Sequence, residues 1–257
     1  QALAGNKYIT STATKMVGSI PAETSEFSLC RLVNTTRPAV TNGANWFLKD
    51  DLTSGNADKA FGYGFPSYLL MCAWDANQAG VKLPVVVNGS TWYMRASYTT
   101  GVADNTVQYG FGGAIPICGD WNGDGVDTMG VFSGGNWYLR NSNTTGVADI
   151  NFAYGDGAGK PVVGDWDGSG TSGIGIVSAN SSLVWNLRNS ANSGPADYSF
   201  SYGGNSGRAV VGDWDGNGTS DAGVYYDGTW NVRTSLSSGN PTGSFVYGSA
   251  GFTPVSW

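Results

Sequence analysis

Apolar residues along this chain come in short runs separated by clusters of Gly, Asn, Asp and Ser. Residues 115–155 show the pattern clearly. Ile115–Trp121 is an apolar run suited to a strand buried on both faces, and Met129–Phe132 is a second run. Trp137–Arg140 alternates in character, and Ile150–Tyr154 closes the series. The intervening clusters supply the turn chemistry that short antiparallel strands need. The pattern therefore predicts four strands and no helix.

The same unit recurs about every 46 residues, a period that marks blades needing neighbours to bury their faces. Trp-x-x-Arg/Lys occurs at Trp46, Trp92, Trp137, Trp185 and Trp230. An aromatic residue or Val followed by x-Tyr-Gly occurs at Phe61–Gly64, Val107–Gly110, Phe152–Gly155, Phe200–Gly203 and Phe245–Gly248. An apolar run into Gly-Asp-Trp ends at Trp121, Trp166 and Trp214, and a degraded copy ends at Trp74. The predicted fold is an all-β, five-bladed β-propeller of four-stranded antiparallel blades spanning 27–257. Residues 1–26 are expected to be an arm or cap outside the repeats.

Six candidate first strands compete for five blades, if Phe27–Cys30 and Phe252–Trp257 are both counted. Either the C-terminal 252–257 segment enters the first blade and closes the ring, or one strand is left for another chain. Closure is the expectation, because it removes exposed edges.

Composition narrows the function classes. A net charge of −6 and a pI near 4.4 give no basic footprint for nucleic acid. No apolar stretch is long enough for a transmembrane helix. A start at Gln1 without a leader fits an exported, mature chain, so a secreted or cell-surface location is expected. Histidine is absent, and Glu occurs only at Glu23 and Glu26. Ser-His-Asp and Cys-His systems are thereby excluded, as is a Glu acid in the blades. Cys30, Cys72 and Cys118 are read as small buried hydrophobes, with a Cys30–Cys72 or Cys72–Cys118 bridge as alternatives.

The loop after the first strand carries the candidate chemistry. Its oxygen-bearing positions are Asp120, Asn122, Asp124, Val126 (backbone carbonyl) and Asp127 in the third repeat. In the fourth they are Asp165, Asp167, Ser169 and Thr171, and in the fifth Asp213, Asp215, Asn217, Thr219 and Asp221. Oxygens at alternate positions with a glycine at the sixth suit Ca2+ held as in the start of an EF-hand loop. Up to three sites are expected, with the Asp120 loop foremost. The bidentate Glu is missing, so weak, millimolar-class binding is implied. Without metal the same residues would form Asx-turns.

The runs GDWNGDGVD, GDWDGSGTS and GDWDGNGTSD, each followed by a strand like NWYLRNS and by FAYG, resemble bacterial FG-GAP/VCBS-type propeller repeats. The resemblance covers residues 66–251 well and 27–65 weakly. It implies propeller blades, calcium loops and an extracellular binding or adhesion module.

A further signature, Gly-x-Ala-Asp, places Asp58, Asp104, Asp149 and Asp197 nine residues after the Arg or Lys of their own repeats, with Thr242 in the fifth copy. A hairpin would bring the two together as a structural ion pair. The functional expectation is a non-catalytic binding or adhesion module, with a glycan or an extracellular protein surface as partner. Tyr68, Tyr98, Tyr225 and Tyr226 are candidate stacking faces. The alternative is a structural subunit that self-associates by strand addition. A glycoside hydrolase is less favoured, because no unique carboxylate pair stands out.

Overall fold

The computed structural model describes residues 35–257, together with the backbone of four short strands before them. These are β1 (Lys7–Ile9), β2 (Thr14–Val17), β3 (Ile20–Thr24) and β4 (Arg31–Val33); β1 pairs with β4 and β2 with β3, both antiparallel. The candidate strand Phe27–Cys30 lies outside the described residues.

Five four-stranded antiparallel sheets follow. Blade 2 is β8 (Tyr68–Cys72), β9 (Leu83–Asn88), β10 (Thr91–Met94) and β11 (Asn105–Gln108). Blade 3 is β12 (Ile115–Gly119), β13 (Thr128–Ser133), β14 (Asn136–Leu139) and β15 (Ile150–Ala153). Blade 4 is β16 (Lys160–Gly164), β17 (Gly173–Ala179), β18 (Ser182–Arg188) and β19 (Tyr198–Gly204). Blade 5 is β20 (Arg208–Gly212), β21 (Asp221–Tyr226), β22 (Thr229–Arg233) and β23 (Gly243–Val246). Blade 1 joins both ends of the ring: β24 (Thr253–Ser256) pairs with β5 (Pro38–Asn42), which is followed by β6 (Asn45–Leu48) and β7 (Lys59–Gly62). The inner strands β8, β12, β16, β20 and β24 each touch the next, and β24 touches β8. The ring is thus closed within one chain by its C-terminal strand, and the fold is a five-bladed β-propeller.

The Trp and Tyr-Gly signatures meet inside each blade. Trp46, Trp92, Trp137, Trp185 and Trp230 are at most 1% exposed. Each indole N–H donates to the carbonyl of the tyrosine on the outer side of its own blade, at 2.9–3.0 Å. The acceptors are Tyr63, Tyr109, Tyr154, Tyr202 and Tyr247. A buried indole needs such a partner, since an orphaned N–H is costly. In four blades the ring also stacks on the Phe of the outer strand: Phe61, Phe152, Phe200 or Phe245.

The glycine after each tyrosine has φ between 82 and 89°. A β-carbon there would lie 2.3–2.9 Å from Val86, Val131, Ile176, Val224 or Val40 of the following blade. Only glycine accepts both the left-handed backbone and the close approach. Each hydrophobic cluster accordingly spans a seam, as where Trp137, Leu139 and Tyr154 of blade 3 pack with Ile174 and Ile176 of blade 4.

Cys72 and Cys118 form a disulfide with a Cα–Cα distance of 6.1 Å. It links the inner strands of blades 2 and 3 one repeat apart, so the reading of these two cysteines as free buried hydrophobes is corrected. Matching positions on successive inner strands face each other across the seam, which brings the two sulfurs within reach. Cys30 lies outside the described residues.

Candidate metal centre and inter-blade sites

The acidic loops share one internal geometry. The first Asp of each accepts three backbone N–H groups: Asp120 from Gly123, Asp124 and Gly125 at 2.7–3.2 Å; Asp165 from Gly168, Ser169 and Gly170 at 2.8–3.0 Å; Asp213 from Gly216, Asn217 and Gly218 at 2.7–3.0 Å. This carboxylate winds the loop about itself and satisfies amides that a tight turn would leave unpaired.

The loops differ in what surrounds that carboxylate. In blade 5, carboxylate oxygens of Asp213, Asp215 and Asp221 lie within 4.8 Å of one another, the one such acidic cluster among the described residues. Asp221 starts β21 and is 2% exposed, and it accepts the Trp214 N–H at 3.2 Å. Burial, followed by the Asp215 charge, pushes its carboxyl up to about 7. Burial also raises Asp213. Three hard oxygen donors gathered around a desolvated point suit Ca2+, because a cation relieves both the burial cost and the mutual repulsion. The Asn217 side-chain oxygen instead accepts the Thr219 N–H and hydroxyl at 2.7 and 2.6 Å.

In blade 3, Asp124 accepts the Val126 N–H and the Asn122 amide at 2.9 and 3.0 Å. Asp127 points away from the loop: it accepts the Ala73 N–H at 2.7 Å and pairs with the Lys82 ammonium. In blade 4, the Ser169 and Thr171 hydroxyls bond each other at 2.9 Å. Burial raises the Asp165 carboxyl, while the bond from Ser169 lowers Asp167. The structure therefore gathers three carboxylates in the Asp213 loop and not in the Asp120 loop. The decisive residue is Asp221, at a position where the other two loops have Thr128 and Gly173.

Other residues of these loops clasp neighbouring blades. The Asp120 N–H donates to the Ser172 hydroxyl at 2.9 Å, and the Ser172 N–H returns a bond to the Asp120 carbonyl at 2.6 Å. Asp165 with Ser220 and Asp213 with Thr36 repeat this exchange, while Ala73 with Asp127 uses a carboxylate in place of a hydroxyl. The sequence reading missed these clasps. Their signal was the Ser or Asp at the eighth loop position, which acquires meaning only once the blades are side by side.

The basic residue after each Trp holds the outer loop of its blade. The Arg140 guanidinium donates to the Thr144 and Val147 carbonyls and pairs with Asp149 at 2.9 Å. Arg95 and Asp104 approach to 3.7 Å, and Lys49 and Asp58 to 3.5 Å. Arg188 and Arg233 bond loop carbonyls, and no ion pair to Asp197 or Thr242 occurs among the described residues. What all five blades share is a side-chain oxygen accepting the amide just after the basic residue, from Asp58, Asp104, Asp149, Asp197 or Thr242. Thr242 can replace Asp because this role needs an acceptor and no charge.

Three of the four candidate tyrosines are structural. Tyr98 donates to the Lys82 carbonyl at 2.8 Å, Tyr225 donates to that of Ser249 at 2.9 Å, and Tyr226 accepts the Gly204 N–H. Tyr68 remains exposed.

Three cavities stand out. One of about 250 Å³ lies where the five inner strands converge, lined by Met71, Lys82, Cys118, Asp165 and Trp257 among others. The other two sit at corresponding places on different seams. That between blades 1 and 2, of about 430 Å³, is lined by Tyr63, Phe65, Tyr93 and Val102. That between blades 3 and 4, of about 380 Å³, is lined by Tyr154, Asp156, Ile176, Ser178 and Asn186. Among the described residues no helix is long and apolar enough to cross a membrane. No protein-family model, curated protein or solved structure matches the chain, so the fold rests on its geometry alone.

Proposed function

We propose that this chain is a secreted, non-catalytic binding or adhesion module, akin to FG-GAP/VCBS-type propellers, whose fifth blade takes up calcium. The carboxylate cluster Asp213–Asp215–Asp221 carries this reading. It is weak in ligand count compared with an EF-hand, which suits the millimolar calcium of extracellular fluids. The Cys72–Cys118 bond fits an oxidising compartment. A closed ring of loops on a rigid scaffold suits recognition, with glycans or extracellular proteins as the partner class. The recurring carboxylates Asp58, Asp104, Asp149 and Asp197 are engaged with backbone amides, which supports a binding role over hydrolysis.

The test is a screen of the purified chain against an array of glycans and extracellular matrix proteins, run in calcium and again in chelator. Binding to a defined set in calcium is the expected result. A flat array in both conditions, with concentration-dependent polymers by electron microscopy, would replace this reading with a structural subunit.

A further inference from the structure

The five seams are built alike, so the places where one departs from the others are informative. At three seams an aromatic pair lines the outer groove and leaves it apolar. Phe65 meets Tyr93 edge-on at 5.6 Å, Phe111 meets Tyr138 at 5.7 Å, and Phe252 stacks on Phe47 at 5.7 Å. Between blades 3 and 4 the positions of Phe65 and Tyr93 are held by Asp156 and Asn186, each fixed by its distance from the repeated Gly155 and Trp185. Ser178, two residues beyond the seam-filling Ile176, adds a hydroxyl to the same cavity.

These three polar groups are oriented with capacity left over. Asp156 accepts the Gly159 N–H through Oδ1 at 2.9 Å, and its other oxygen has no protein partner among the described residues. Asn186 accepts the Ser199 hydroxyl through Oδ1 at 2.8 Å, which directs its two N–H donors elsewhere. Ser178 Oγ has no protein partner among the described residues, and it borders Gly159 together with Asp156: a β-carbon on Gly159 would lie 3.0 Å from Ser178 Oγ and 3.3 Å from Asp156 Oδ1. Behind them lie the buried Ile176 and Tyr154. The Tyr154 hydroxyl is also without a protein partner, as are those of Tyr63, Tyr109, Tyr202 and Tyr247, so this feature does not distinguish the seam. The polar trio does: the seam between blades 4 and 5 also lacks the aromatic pair and has Asn231 at the Asn186 position, but Gly204 and Tyr226 stand there in place of Asp156 and Ser178.

We propose that the seam between blades 3 and 4 is a binding site for one neutral sugar residue, with Asp156, Ser178 and Asn186 taking its hydroxyls and Ile176 with Tyr154 as the apolar wall. An acceptor, a donor pair and an adaptable hydroxyl beside an apolar wall match a ring that carries adjacent hydroxyls on one side and C–H groups on the other. The cavity, at about 380 Å³, lies in the range of small-molecule pockets. The Asp156 carboxylate and the net charge of −6 disfavour an anionic sugar. A single carboxylate is too few for a metal. This assignment rests on the reading of the chain as a binding module and names the ligand class of one site on it.

The test uses the full chain and a panel of neutral monosaccharides (glucose, galactose, mannose, fucose and the two N-acetylhexosamines), read by saturation-transfer NMR and titration. The variant is Asp156→Phe with Asn186→Tyr, which restores the aromatic pair that blades 1 and 2 already tolerate. At least one sugar is expected to bind the wild type, and the variant is expected to weaken it tenfold or more with its melting temperature preserved. A variant that fails to melt cooperatively is replaced by Ser178→Ala, for which a threefold or greater loss is expected. Equal binding by wild type and folded variant would overturn the seam site while leaving the module reading intact. A wild type that binds matrix proteins and no sugar would also overturn the seam site alone. A wild type that binds nothing on either panel would overturn both.

Discussion

Replacing Gly155 by Ala probes how the ring is held at its seams. Gly155 has φ of 82°, and a β-carbon would meet Ile176 Cγ1 of the next blade at 2.3 Å. Two costs add. An L-residue in the left-handed region costs about 1–2 kcal/mol. Pushing back Ile176, which is 2% exposed and closely packed, costs about 1–3 kcal/mol more. The expected destabilisation is therefore about 2–5 kcal/mol, measured by urea unfolding followed through tryptophan fluorescence. Gly134→Ala is the matched control: its φ is 57° and a β-carbon would meet nothing within 4 Å, so only the backbone cost applies. A loss at Gly155 no greater than that at Gly134 would refute the claim that the Tyr-Gly glycine is a steric contact between blades.

Three further outcomes follow from named groups. The Asp221 carboxyl is raised from 3.8 to about 7 in the folded chain, so without calcium the fold is favoured while this group is protonated, and stability falls as pH rises from about 4 through about 7. That gap corresponds to roughly 4 kcal/mol, so thermal melts in chelator should decline between about pH 4 and 8 more for wild type than for Asp221→Asn; parallel declines would count against the raised carboxyl. Reducing the Cys72–Cys118 bond, with a separation of 46 residues, releases a loop worth roughly 4 kcal/mol of denatured-state entropy and should lower the melting temperature by several degrees; an unchanged midpoint would contradict it. Trp137→Phe strands the Tyr154 carbonyl and trims a fully buried ring, so about 2–4 kcal/mol should be lost by urea unfolding; a loss under about 1 kcal/mol would contradict both costs.

The sequence carried the blades legibly because the contacts that define them are local. The Trp indole and the Tyr carbonyl it bonds are 17 residues apart in every repeat, so both signatures recur with one period. Closure by 253–256 was legible as a strand count and needed the structure only to choose the partner, β5. Contacts between blades were not legible. The Ser172 and Ser220 clasps, the Cys72–Cys118 pairing and the seam around Asp156 all join residues of different repeats. The same holds within the acidic loops: the Asp120 and Asp213 loops each carry three Asp and one Asn, yet Asp127 is drawn to Ala73 and Lys82 of the preceding blade. Asp221 is drawn inward because it heads a buried strand. Thr242 shows the converse. The fifth copy has no carboxylate to pair with Arg233, yet the amide bond at 3.0 Å is kept.

The most direct test of a calcium-supported binding scaffold is calorimetric titration of calcium into the metal-free chain at pH 8, in parallel with Asp221→Asn. One saturable site in the wild type, abolished or weakened at least tenfold in the variant, is the expected result. No saturable uptake by the wild type up to 10 mM, or uptake that survives loss of Asp221 and disappears with Asp120→Asn, would contradict the assignment of the metal to the fifth blade.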